Sequence, residues 1–77
     1  MTARLRPPRY QRIAVSVRER IDAGEFEEGQ LPSIERLCED YGVGRATVRK
    51  SLGILVRDAV VKRRSGHSYE ILPVERR

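Results

Sequence analysis

The 77 residues include one cysteine, one histidine, one phenylalanine and no tryptophan, and each scarcity removes a class of function. Cys38 alone excludes an intramolecular disulfide, and with only His67 beside it the chain lacks the three or four ligands that a zinc site needs. No apolar run approaches the roughly 18 residues needed to cross a bilayer, and the opening MTARLRPPR lacks the apolar stretch of a signal peptide. The expected setting is therefore the cytoplasm, with no membrane partner. Without a second histidine or a phosphate-cradling glycine loop, no catalytic constellation can be assembled. An enzyme is not expected, and no metal or cofactor is.

What remains is a short, charged, aliphatic chain. Aromatic residues are 5% and charged residues 35%, so one small aliphatic core is expected, with no room for a second. The net charge of +5 is unevenly placed: residues 1–40 carry seven basic and eight acidic side chains, residues 41–77 nine and three. A basic surplus confined to one half suits a polyanion, because each cation set beside a phosphate releases condensed counterions. A solvated basic face would show the same count, so charge alone does not decide.

Periodicity divides the chain into an arm over 1–8, a folded domain over 9–72 and a polar tail over 73–77. Ile13, Ala14, Val17 and Ile21 recur at helical spacing, which predicts a first helix from Arg9 to about Ala23, ended by Gly24. Ser33 can cap a second helix whose apolar positions are Ile34, Leu37, Cys38 and Tyr41. After Tyr41-Gly42-Val43-Gly44, a third helix runs from Arg45 to about Asp58 with Val48, Leu52 and Leu55 on one side. Two short helices joined by a glycine-containing turn describe a helix-turn-helix, whose second helix enters the DNA major groove. Two β-prone runs, 60–64 and 68–72, flank Ser65-Gly66-His67 and predict a hairpin. The expected fold is mainly α (α+β): a winged helix-turn-helix, three helices followed by a two-stranded β-hairpin wing.

The third helix places Arg45, Thr47, Arg49 and Lys50 on its first turns and outer side. Guanidinium forks suit guanine edges, a threonine methyl suits thymine, and an ammonium suits phosphate. Lys62, Arg63 and Arg64 lead into a turn where Gly66 can adopt positive φ, so Arg63, Arg64, Gly66 and His67 form a basic tip fit for a minor groove or its phosphates. An ordinary solvated surface is the competing reading for each residue, weakened by their concurrence with the hairpin. Cys38 lies on the apolar stripe and reads as core rather than nucleophile.

From Tyr10 to Ile71 these residues resemble the GntR-type winged-helix regulators of bacteria. The resemblance rests on Tyr10-Gln11-Arg12-Ile13, on Ile21 and Gly24, on Gly29-Gln30-Leu31-Pro32-Ser33, on Leu37, and on the stretch from Tyr41 to Leu52 with Leu55 after it. It implies a DNA-binding head of a repressor that dimerises on a pseudopalindromic double-stranded operator, with contacts at Arg45, Thr47, Arg49 and Gly66. The chain departs from the family pattern at several positions. Glu35 stands where a DNA-contacting arginine is common, leaving Arg36, about 100° around the helix, as its substitute. Gly44 replaces a capping serine, Lys50 a glutamate, Ala59 a glycine and Ser68 a second wing glycine. Family members generally carry a second, effector-binding domain after the wing. These residues are expected to form no ligand pocket of their own, so a small-molecule effector is expected only through such a domain. The alternative is a winged-helix module that binds protein, docking through the acidic stretch from Glu25 to Asp40, where six acids face one arginine, Arg36.

Overall fold

The structure, a computed structural model, describes residues 6–26, 29–64 and 68–73. Pro8 begins α1 (Arg9–Asp22), with φ held at −54° and its carbonyl accepting from the Gln11 and Arg12 amides. Ile13, Ala14, Val17 and Ile21 are buried as one stripe. The helix closes where Gly24 turns left-handed at φ 75°: its amide donates to the Ile21 carbonyl and that of Glu25 to Arg20. A residue without Cβ makes that reversal inexpensive.

Helix α2 (Ile34–Tyr41) starts as its sequence predicts, the Ser33 hydroxyl accepting from the Arg36 amide at 3.1 Å. Gly42, at φ 65°, ends it and turns the chain into α3 (Arg45–Arg57) within three residues. Val48, Leu52 and Leu55 face inward as expected, but Ser51 is buried with them, fully inaccessible to solvent. Its hydroxyl lies 2.9 Å from the carbonyls of both Thr47 and Tyr10, the latter in the first turn of α1. A serine hydroxyl buried without a partner would cost about 1–3 kcal/mol, so this pairing is what admits it to the α1–α3 seam.

Helix α3 closes with the same hydrogen-bond pattern as α1. The Ala59 amide donates to Val56 and the Val60 amide to Leu55, but here the left-handed residue is Ala59, at φ 60°. The chain then forms β1 (Val61–Arg63) and β2 (Tyr69–Ile71), antiparallel, with Val61 opposite Ile71 and Arg63 opposite Tyr69. Further bonds from the Arg64 amide to Ser68 and from the Leu72 amide to Val60 extend the pairing over the full predicted runs. The connecting turn, with Gly66 and His67, lies outside the described residues. Three helices followed by a two-stranded sheet are the winged helix expected from the pattern.

Two features were not anticipated. The segment before α2 lies along the free edge of β2: the Leu31 amide donates to the Tyr69 carbonyl at 3.2 Å, and Gln30 forms a bridge with Glu70. This ties the wing to the helical body, and Val60, Val61 and Tyr69 are buried in the same core as Leu31, Ile34 and Leu37. Phe26 packs on that core with Arg20 beside its ring. The Arg20 guanidinium sits 4.8 Å from the Phe26 ring centre and 5.8 Å from that of Tyr41. It also pairs with Glu25 at 2.8 Å and Asp40 at 3.4 Å and donates to the Tyr41 hydroxyl, which is hydrogen-bonded to Ser16. The hydrogen bond to Glu25 above all, with Tyr41 adding to it against burial, raises the Arg20 pKa beyond its already high ordinary value. Its charge is therefore permanent.

Candidate nucleic-acid interface

The turn Gly42–Gly44 delivers α3 with its amino-terminal end exposed. Gly44 occupies the capping position without a side chain to offer, and the first turn holds no acid. The amides there have no side-chain acceptor from the cap and carry the positive end of the helix dipole. On this end Arg45 is exposed, Thr47 half-buried, and Arg49 and Lys50 exposed. The structure thus brings the four predicted residues of α3 together on its first two turns.

They are not equivalent in their surroundings. No ion pair joins Arg49 to any described residue, whereas Arg45 Nη2 lies 3.0 Å from Glu35 Oε2. The Lys50 ammonium rests 4.3 Å from the centre of the Tyr10 ring. That contact carries the first turn of α1 alongside α3, where Arg9, Tyr10, Ala46, Thr47 and Lys50 line a recess of about 330 Å³. Arg9 and Tyr10 are thus part of this surface, which helical spacing along α3 alone could not reveal. The only sequence signal was the presence of Tyr10 among the residues that carry the family resemblance.

Arg36 is exposed but engaged, pairing with Asp40 one turn along α2 at 3.1 Å. On the wing, Lys62 and Arg63 are exposed and have no ion pair among the described residues, while Arg64 meets Glu70 across the hairpin at 3.3 Å. Gly66 and His67 lie outside the described residues. Of the described acids between Glu25 and Asp40, three have cationic partners: Arg20 takes Glu25 and Asp40, Arg36 shares Asp40, and Arg45 takes Glu35, while Glu39 is exposed with no ion pair among the described residues.

The groove that the described residues form between α1 and α3 is open to solvent rather than enclosed. It has a volume of about 620 Å³ and runs past Val15, Arg18, Gly53, Ile54 and Arg57. A Cβ built at Gly53 meets nothing within 4 Å, so the groove is open there rather than shaped by the glycine. Among the described residues, no buried side-chain polar atom lacks a partner and no cluster of His, Cys, Asp or Glu could hold a metal. Among the described residues, no helix is long and apolar enough to cross a membrane.

Residues 9–71 match the family model of bacterial regulatory proteins, gntR family. The chain is 39% identical over 56 residues to the mannosyl-D-glycerate transport/metabolism system repressor MngR of Escherichia coli K12, covering 71% of this chain and 23% of that protein. It thus spans about a quarter of the length of this relative. Its fold superposes with a TM-score of 0.80 on Streptococcus agalactiae BusR, solved with busAB-promotor DNA, at 33% identity over 92% of this chain and 35% of that one. With YtrA from Sulfolobus acidocaldarius, a GntR-family transcription factor, the TM-score is 0.75 at 32% identity, over 94% of this chain and 78% of that one.

Proposed function

Because the chain belongs to the gntR family of bacterial regulatory proteins, matching its model from residue 9 to residue 71, we propose that it is a sequence-specific reader of double-stranded DNA. It is a regulator, not an enzyme. The observation that carries the reading is the exposed amino-terminal half of α3, which presents Arg45, Thr47, Arg49 and Lys50 on a helix end with no acid in its first turn. In this reading α3 enters the major groove, Arg45 and Arg49 address base edges, the Thr47 methyl packs beside thymine, and Lys50 takes a phosphate. Arg36 approaches the backbone from α2. The wing residues Arg63 and Arg64, with Gly66 and His67 at its tip, lie at the flanking minor groove or its phosphates.

The unit that binds is the domain over 9–72, with the arm over 1–8 and the tail over 73–77 beside it. Two copies occupy a pseudopalindromic operator, and occupancy represses, as the name of MngR states for that relative. A small-molecule effector enters this scheme only through a further domain. The protein-docking alternative is not favoured, since Glu25, Glu35 and Asp40 already have cationic partners within the domain.

The test is enrichment from a pool of random duplexes at two salt concentrations, with wild type and Arg49→Ala side by side. A short motif that disappears in the variant supports the reading. In addition, log affinity should fall with log salt at about 0.9 per phosphate contacted. Uniform retention without a motif would reduce the protein to a nonspecific phosphate binder, and no retention would overturn DNA binding altogether.

A further inference from the structure

Resting on the DNA-reading function above, we propose that Glu35 is a positioning residue that determines what Arg45 reads, steering its guanidinium away from phosphate and toward a base edge. The observation is the 3.0 Å pair between Glu35 Oε2 and Arg45 Nη2, which joins the first turn of α2 to the first residue of α3.

The pair has a local electrostatic cause. Arg45 sits at the positive end of the α3 dipole, where a cation is disfavoured, and α3 has no acid of its own in that turn. Glu35 supplies the missing counter-charge from the neighbouring helix. It also stands at the start of α2, where a carboxylate is favoured. Both helix ends therefore favour a carboxylate between them.

The chemical consequence follows from the shape of the guanidinium. Its five N–H groups lie in one plane in a fixed fork. Charge attraction between Glu35 Oε2 and Arg45 Nη2 biases the orientation of that plane and leaves the other donors available to other acceptors. The carboxylate repels phosphate oxygens that approach the same edge, so the free donors are better spent on a base edge. Phosphate contacts carry no direct sequence information, whereas base contacts do. Arg49, without an ion pair among the described residues, has no such constraint. The pair is exposed on both sides, 59% for Arg45 and 55% for Glu35. Exposed pairs add little to stability, so folding gives little reason to hold this one, and orienting Arg45 gives a specific one. The competing account is that Glu35 serves only the α2 dipole and that its contact with Arg45 is incidental.

The experiment is enrichment from random duplexes, with salt titrations, for wild type, Glu35→Gln, Arg45→Ala and the double variant. Thermal unfolding of each checks that the fold is retained. Glu35→Gln should bind arbitrary duplex several-fold more tightly, and its salt slope should steepen by about 0.9 as Arg45 gains a phosphate. Its base preference should fall about fivefold or more at one position of the motif, the position whose preference Arg45→Ala also loses. In the Arg45→Ala background, Glu35→Gln should leave the motif unchanged. A Glu35→Gln motif identical to wild type at every position, with affinity shifted uniformly, would overturn the proposal and leave Glu35 as a bystander charge. A motif change of equal size with and without Arg45 would overturn it too, making Glu35 a reader in its own right. A wild type that enriches no motif would instead sink the DNA-reading function, and this inference with it.

Discussion

Arg20 and Arg49 are the same residue type put to opposite uses on two sides of a small domain. Arg20 joins α1 to α2 through Glu25, Asp40 and the Tyr41 hydroxyl, with the Phe26 and Tyr41 rings beside its guanidinium. Arg49, on the outer side of α3, is exposed and has no ion pair among the described residues. Near Arg20, charge is matched within the domain and contributes to folding. Along α3 and β1, the matching is left incomplete, and that surplus is what a polyanion would meet. A net charge of +5 describes neither region. The distinction lies in which cations have partners.

The largest effect that would break this comparison is on binding. Arg49→Ala should weaken binding to the enriched DNA motif by about 1–3 kcal/mol while leaving the unfolding midpoint unchanged. A variant that lost stability instead would show that Arg49 has a structural partner. Arg20→Ala should do the reverse, destabilising the fold by about 1–2 kcal/mol as the ring contacts and partly shielded ion pairs are lost. Calorimetry should register that as a drop of about 4–8 °C per kcal/mol, with DNA affinity unaltered below the transition.

A change remote from both regions sharpens the comparison. The closures of α1 and α3 share one hydrogen-bond pattern, but α1 uses Gly24 and α3 uses Ala59 in the left-handed region. Left-handed backbone costs a residue with a Cβ about 1–2 kcal/mol, partly offset by the freedom that glycine loses on folding. Ala59→Gly should therefore raise stability by about 0.5–1 kcal/mol in denaturant titration, with binding unmoved. A shift in DNA affinity would mean that folding and binding are not separable here. The smallest effect belongs to Arg18→Ala, which removes an exposed pair with Asp22 on the same helix. It should change stability by less than about 0.5 kcal/mol, because such pairs scarcely exceed the entropy of holding two long side chains together.

Much of this molecule is legible along the chain because its determinants are local. The stripe of Ile13, Ala14, Val17 and Ile21, the Ser33 cap and the closures at Gly24 and Gly42 each act within a few residues, so their positions predict the helices to within one residue. The candidate interface is legible for the same reason, since Arg45, Thr47, Arg49 and Lys50 occupy consecutive turns of one helix. Ser51 was not legible as core: a serine on an apolar stripe reads as polar until the Tyr10 carbonyl, 41 residues earlier, takes its hydrogen bond. Nothing in the spacing singles out Arg20, because Asp40 and Tyr41 approach it only after α2 has folded against α1.

The sequence by itself determined the three helices, the hairpin and the concentration of cations in the second half, because periodicity, capping and charge count depend on near neighbours along the chain. Only the tertiary structure decided which of those charges are matched and which are left for a partner. Glu35 and Arg45 are ten positions apart, and nothing in their spacing pairs them. The turn at Gly42–Gly44 does, by setting the first turns of two helices side by side. Coulomb attraction depends on distance through space, and packing sets that distance.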